Sequence, residues 1–259
     1  MATKKAKRTS AASTAKTEAK PAFVDVERIK TGIAGFDDMT PEGIPRGSVI
    51  QLTGGPGCGK TIFGLQYLVS GAMKFDEPGV YVSFEESEDS LKQTASMFGW
   101  NVDDLQSKKK LDIVWHSTFE VKSFAETMQG QLKDLIQQQG VKRLVFDSIT
   151  AFGSSIDDKS KLRKEIFDLS KRLRMMKITT LFISERSEMQ AGTNNFAMEE
   201  FLVDGVIYLH NFFVRDTRQR AVEILKLRKT NHDTFMRPFK IMPREGLRIF
   251  SREQVFTEQ

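Results

Sequence analysis

Apolar positions along the chain fall into two alternating patterns. Short β-branched runs recur at Ser48 to Thr53, Val80 to Phe84, Leu111 to Trp115, Leu144 to Phe146 and Thr180 to Ser184, each the length of a buried strand. Between them lie stretches with helical spacing. Thr61 to Lys74 carries Ile62, Leu65, Leu68, Val69 and Met73, and Asp158 to Lys177 carries Leu162, Ile166, Leu169, Leu173 and Met176. Ser87 is placed to cap another helix, with Glu88 and Asp89 in its first turn, and a helix from Ser123 to about Gln139 should stop at Gly140. Strand and helix in alternation imply an α/β fold with a mostly parallel sheet flanked by helices. The last third differs. Val206 to Leu209, Val222 to Leu227 and Phe239 to Phe250 read as strands without helices between them, which predicts antiparallel strands at the C-terminal edge of the sheet.

Composition narrows the class. A chain of 259 residues can bury one core of this kind, expected over residues 22–259. No apolar run reaches the roughly 20 residues of a membrane span, and no apolar leader opens the chain. A single cysteine, Cys58, cannot build a disulfide framework and suits a reducing, cytoplasmic setting. The net charge of +5 looks like an affinity for nucleic acid until it is located. Lys4, Lys5, Lys7, Arg8, Lys16 and Lys20 against Glu18 place all of it in residues 1–20, so the body from Pro21 onward is neutral. Residues 1–21, rich in Ala, Lys, Ser and Thr with no apolar pattern, read as a disordered basic tail.

The chemistry begins at Gly54-Gly55-Pro56-Gly57-Cys58-Gly59-Lys60-Thr61, which fills every fixed position of G-x-x-x-x-G-K-[ST] between a predicted strand and a predicted helix. Glycines let the backbone wrap a polyphosphate with its N–H groups inward, at the positive end of the new helix. Lys60 is placed to reach the β- and γ-phosphates, and the Thr61 hydroxyl to hold Mg²⁺. Gly55, Pro56, Gly57, Cys58, Gly59, Lys60, Thr61 and Ile62 form the expected nucleotide contacts. Asp147 ends an apolar strand, as a second Mg²⁺-supporting carboxylate does in such proteins. Glu85 and Glu86 end another strand on the ligand edge of a parallel sheet, where a carboxylate can orient and deprotonate water. His116 and His210 lack ligand spacing and are assigned no metal.

With these residues in view, the chain resembles the RecA-like ATPases of the KaiC type, in particular their single-domain archaeal members. The resemblance runs from about Ile29 to Phe250. It rests on Thr31-Gly32 and Gly35-Phe36-Asp37, the phosphate loop, Phe84-Glu85-Glu86-Ser87, Phe146-Asp147-Ser148-Ile149-Thr150-Ala151, Ser184-Glu185-Arg186, Glu199-Glu200-Phe201 and Lys226-Leu227-Arg228-Lys229-Thr230-Asn231-His232. It implies Mg²⁺-dependent ATP hydrolysis between subunits of a hexameric ring. The water-activating base would be Glu85 or Glu86, and Lys226, Arg228 and His232 would reach a neighbour's ATP. From the residues alone, Lys226 and Arg228 are equally a solvated face of an edge strand. In the family an adjacent Ser-Thr pair can be phosphorylated; Glu200-Phe201 stands in its place, so autokinase activity is not expected there. Lys229 occupies a position where the family usually has glycine.

Three functions compete. The first is a regulatory or signalling ATPase ring. The second is a recombinase-like DNA-binding ATPase, disfavoured because its comparable loop, Ser187 to Ala197, carries little basic charge. The third is an ATP-dependent assembly sensor with little turnover, recruiting a signalling or motility partner.

Overall fold

The computed structural model describes residues 26–116, 131–154, 156, 158–185, 202–214 and 216–255. The basic tail, the first part of the helix expected from Ser123, Arg186, the loop 187–197 and Glu199-Glu200-Phe201 lie outside the described residues.

Strand β1 (Arg28–Ile29), helix α1 (Phe36–Met39) and β2 (Ile44–Pro45) precede β3 (Val49–Gly54) and α2 (Lys60–Lys74). Then come β4 (Gly79–Ser83), α3 (Glu88–Ser96), α4 (Val102–Ser107) and β5 (Leu111–Trp115). The chain continues through α5 (Gln131–Gln139), β6 (Arg143–Asp147), α6 (Ile149–Gly153), α7 (Lys159–Met175) and β7 (Thr179–Glu185). It closes with β8 (Gly205–Val214), β9 (Thr217–Leu227), β10 (Arg237–Met242) and β11 (Gly246–Ile249).

Among the described residues a nine-stranded sheet runs β11-β10-β9-β8-β3-β7-β6-β4-β5. From β8 to β5 every pairing is parallel, and from β8 outward to β11 every pairing is antiparallel. The direction therefore changes after β8, which is itself parallel to β3. Side-chain alternation divides the core in two. Ile50, Leu52, Tyr81, Val145, Leu181 and Ile183 face α1 to α4, while Val80, Val82, Leu144, Phe146 and Phe182 face α5 to α7. Parallel strands buried on both faces lack polar alternation, as their sequence pattern suggested.

The predicted cap holds: the Ser87 side chain accepts from Ser90 N–H. The structure adds a second, Asp158, which accepts from Ser160 and Lys161 N–H at the start of α7. Three local expectations change. Phe239 to Phe250 is a hairpin rather than one strand, because Pro243-Arg244-Glu245 is a turn, with Arg244 at φ +61° and Gly246, the first residue of β11, at φ +92°. Met176 lies past the end of α7 and is 45% exposed. A register shift between Val206 and Ile207 leaves Leu225 as an extra residue in β9, so Ile224 and Leu227 share the buried face although three apart.

The motif Thr31-Gly32…Gly35-Phe36-Asp37 does structural work. Asp37 accepts from Thr31 N–H and O–H, both at 2.7 Å, and from Gly32 N–H at 2.9 Å. A Cβ on Gly35 would lie 1.9 Å from the Ile249 carbonyl oxygen, so only glycine allows that approach. Nearby, fully buried Arg143 is paired with Glu77 at 2.7 Å, donates to the carbonyls of Lys30 and Tyr67, and stacks on the Tyr67 ring. The single charge of this guanidinium is matched by the Glu77 carboxylate, which a buried cation requires.

Candidate nucleotide site

β3 ends in Gly54 and α2 begins at Lys60, so the phosphate loop spans the C-terminal edge of the parallel sheet. Gly57 and Gly59 have φ of +70° and +97°, the left-handed turns that expose backbone N–H groups. Gly54 is tighter still. A Cβ there would sit 2.2 Å from the Leu209 carbonyl oxygen and 2.7 Å from Cys58 Sγ. Cys58 is buried beneath the loop and burial pushes its thiol pKa up, so it acts as packing. Lys60 Nζ curls back to donate to the Gly54 and Gly55 carbonyls at 2.9 and 3.1 Å, which holds the ammonium over the loop.

Asp147 ends β6 beside this loop. The Thr61 hydroxyl donates to Asp147 Oδ2 at 3.1 Å, and the Tyr81 hydroxyl donates to the same oxygen. Burial raises the carboxyl from its ordinary 3.8 to about 6, with Glu85 and Glu86 adding to the rise and the Tyr81 and Thr61 hydroxyls opposing it. A hydroxyl and a carboxylate are hard oxygen ligands of the kind Mg²⁺ takes alongside phosphate oxygens. Among the described residues no three His, Cys, Asp or Glu side chains gather into a metal cage.

The two glutamates part company. Ser148 Oγ accepts from Ala151 N–H at 3.0 Å, so its own proton points to Glu85, whose carboxylate it holds. Glu85 is thereby tied to the residue next to Asp147. Glu86 turns to α3, accepting from Ser90 Oγ at 2.7 Å, while Ser83 Oγ pins its backbone N–H and carbonyl.

Lys226 and Arg228 are not brought to this loop. Val206 pairs with Lys226 and Gly205 with Leu227, and Gly205 in turn pairs with Ile50, whereas Leu209 pairs with Gly54. Four strand residues separate those two levels, about 13 Å at roughly 3.3 Å per residue. Arg228 lies just past β9, its N–H donating to the Asp204 carbonyl at 2.8 Å. His232 Nδ1 lies 3.0 Å from the Asp233 carbonyl, and Asp233 N–H donates to the Met39 carbonyl, so this segment sits against α1. Lys229 adopts φ +61°, the conformation a glycine would take, and Arg28 grips its carbonyl at 2.7 Å.

Other residues reach the loop unannounced. Arg220 Nε donates to the Gly57 carbonyl at 3.1 Å and Asn211 Nδ2 to the Pro56 carbonyl at 3.5 Å, both from the β8–β9 hairpin. Ile241 of β10 stands within 3.2 Å of where a Gly59 Cβ would be. Arg220 sits in the polar first half of β9, where both faces are wet and alternation gives no cue.

A family model described as "ATPase: KaiC" matches residues 29–254. The circadian clock oscillator protein KaiC of Nostoc sp. strain PCC 7120 is 38% identical over 235 residues, 87% of this chain and 44% of that protein. That of Prochlorococcus marinus strain MIT 9313 is 35% identical over 88% of this chain and 46% of its own length. The chain thus spans less than half of these curated relatives. Among solved structures, a KaiC-like protein from the hyperthermophilic archaeon Pyrococcus horikoshii OT3 aligns over 87% of this chain and 100% of its own, with a TM-score of 0.76 and 32% identity. No helix among the described residues is long and apolar enough to cross a membrane.

Proposed function

Since the chain belongs to the KaiC family of ATPases, we propose that residues 22–259 form a Mg²⁺-dependent ATPase domain that works in the cytoplasm as a regulatory or signalling ring, probed most directly at its subunit interfaces. The observation that carries this reading is the Thr61–Asp147 hydrogen bond at 3.1 Å, which joins the phosphate loop to the end of β6 with Glu85 alongside.

In this reading Gly55 to Ile62 hold the ATP phosphates, with Lys60 swinging from the loop carbonyls to the β- and γ-phosphates. Thr61 and Asp147 hold Mg²⁺, which would neutralise charge on the phosphate oxygens when bound. Glu85 is the base, because Ser148 keeps its carboxylate on the Asp147 side of the cleft; Glu86 supports α3. Arg220 and Asn211 close the loop from the hairpin side. The placement of Lys226 and Arg228 away from this chain's own phosphate loop favours their service, with His232, to an adjacent subunit. There the cations would stabilise charge developing on the transferred phosphoryl group.

The test is complementation. Glu85→Gln and the double variant Lys226→Ala, Arg228→Ala should each lose ATP turnover while retaining tight ATP binding. Mixed together, they should recover turnover, because some interfaces then combine an intact Glu85 with an intact Lys226 and Arg228. No recovery, together with wild-type turnover per subunit that is unchanged on dilution to monomers, would refute the shared site.

A further inference from the structure

Tyr81 stands opposite Val145 on adjacent parallel strands, and Ser83 stands opposite Asp147. Tyr81 and Asp147 are therefore diagonal neighbours on the α2 face, a separation that an aromatic side chain can span. The Tyr81 hydroxyl closes it, donating to Asp147 Oδ2, the oxygen that also accepts from Thr61.

Two further observations separate this contact from ordinary core packing. The ring is fully buried, so its hydroxyl has no water to turn to, and a phenylalanine would fill the same apolar space without that demand. Room for the ring also comes from Gly64 on α2. A Cβ there would lie 3.3 Å from Tyr81 Cε2 and 3.2 Å from Ile183 Cδ1 and Val145 Cγ1. The helix that starts at Lys60 is thus smooth one turn later, at the place where the phenol passes between helix and sheet toward the carboxylate.

We propose that Tyr81 is a positioning residue for the metal site: its hydroxyl holds Asp147 Oδ2 and thereby sets the orientation in which the carboxylate meets the Mg²⁺ carried with ATP. This rests on the nucleotide reading above. Partners that orient a metal-supporting carboxylate raise its affinity for the ion without touching the ion themselves.

The test titrates MgCl₂ into the full chain with a fluorescent ATP analogue and reads nucleotide binding rather than turnover. Tyr81→Phe should leave analogue affinity without Mg²⁺ and thermal stability near wild type. It should raise the Mg²⁺ concentration for half-saturation roughly 10-fold or more, the usual cost of losing such a support. In an Asp147→Asn background the same substitution should change nothing. A half-saturation within about 2-fold of wild type, where 10–100-fold is the norm for such losses, overturns the role of Tyr81. Asp147→Asn must itself weaken the Mg²⁺ response; if it does not, the nucleotide reading and this inference fall together. If it does and Tyr81→Phe is silent, only the inference falls.

Discussion

Asp147 offers a sharp test because its charge is costly when no cation is bound. Its carboxyl is raised from 3.8 to about 6, chiefly by burial, which at 1.36 kcal/mol per pKa unit amounts to about 3 kcal/mol. The sign follows from which state holds the proton. Well below the ordinary value of 3.8 the group is protonated in both states and the protein is spared the cost. As pH rises through 4 to 6 the unfolded chain ionises first, and stability is lost. Above pH 6 the folded protein carries the full burden of a buried carboxylate.

Asp147→Asn removes the charge at nearly constant shape, and the amide oxygen can still accept from Thr61 and Tyr81. The new amide N–H₂ needs partners, which returns about half of the gain, about 1–2 kcal/mol. The variant free of nucleotide should therefore be more stable than wild type at pH 8 by about 1–2 kcal/mol, or roughly 2–8 °C in Tm for a chain of this size. Thermal unfolding followed by circular dichroism in EDTA, at steps from pH 4.5 to 8, reads it directly. The advantage should shrink toward pH 4.5. With Mg²⁺ and ATP the order should reverse, because only the ionised wild-type carboxylate meets the cation. A difference between the two proteins that does not change with pH, or an asparagine variant less stable at pH 8 in EDTA, would refute the electrostatic account.

Two further predictions concern backbone conformation. Gly35→Ala drives a Cβ to 1.9 Å from the Ile249 carbonyl oxygen at φ +80°, and chemical denaturation should show a loss of about 3 kcal/mol or more. Gly99→Ala, also at positive φ but with nothing within 4 Å, should cost only about 1–2 kcal/mol and serves as its control. Lys229→Gly should go the other way: relief of the φ +61° strain, worth about 1–2 kcal/mol, outweighs glycine's added chain entropy of about 0.5–1 kcal/mol, so the same denaturation should show a small gain.

The parts of the site that were legible in the sequence are those in which chemistry and local structure coincide. The phosphate loop could be found because glycines, Lys60 and Thr61 lie within eight residues between an apolar run and a helical stripe. Asp147 could be found because it ends such a run. Glu85 and Glu86 are indistinguishable as neighbours in a chain, since what separates them is the pairing of one with Ser148 and the other with Ser90. Tyr81 was invisible for a different reason. It occupies the middle of a five-residue strand whose every position is buried, so an aromatic side chain there reads as core. Only the register of β4 against β6 brings its hydroxyl to Asp147, and only the bare Cα of Gly64, seventeen positions earlier, gives the ring its passage. The extra residue Leu225 makes the same point at the far end of β9. It rotates the strand so that Leu227 packs inward while Lys226 and Arg228 are carried outward, a choice that strict alternation from Ile224 would have reversed. Residues that act through register thus need the sheet assembled before a role can be read for them, and the roles proposed for Tyr81, Lys226 and Arg228 are of this kind.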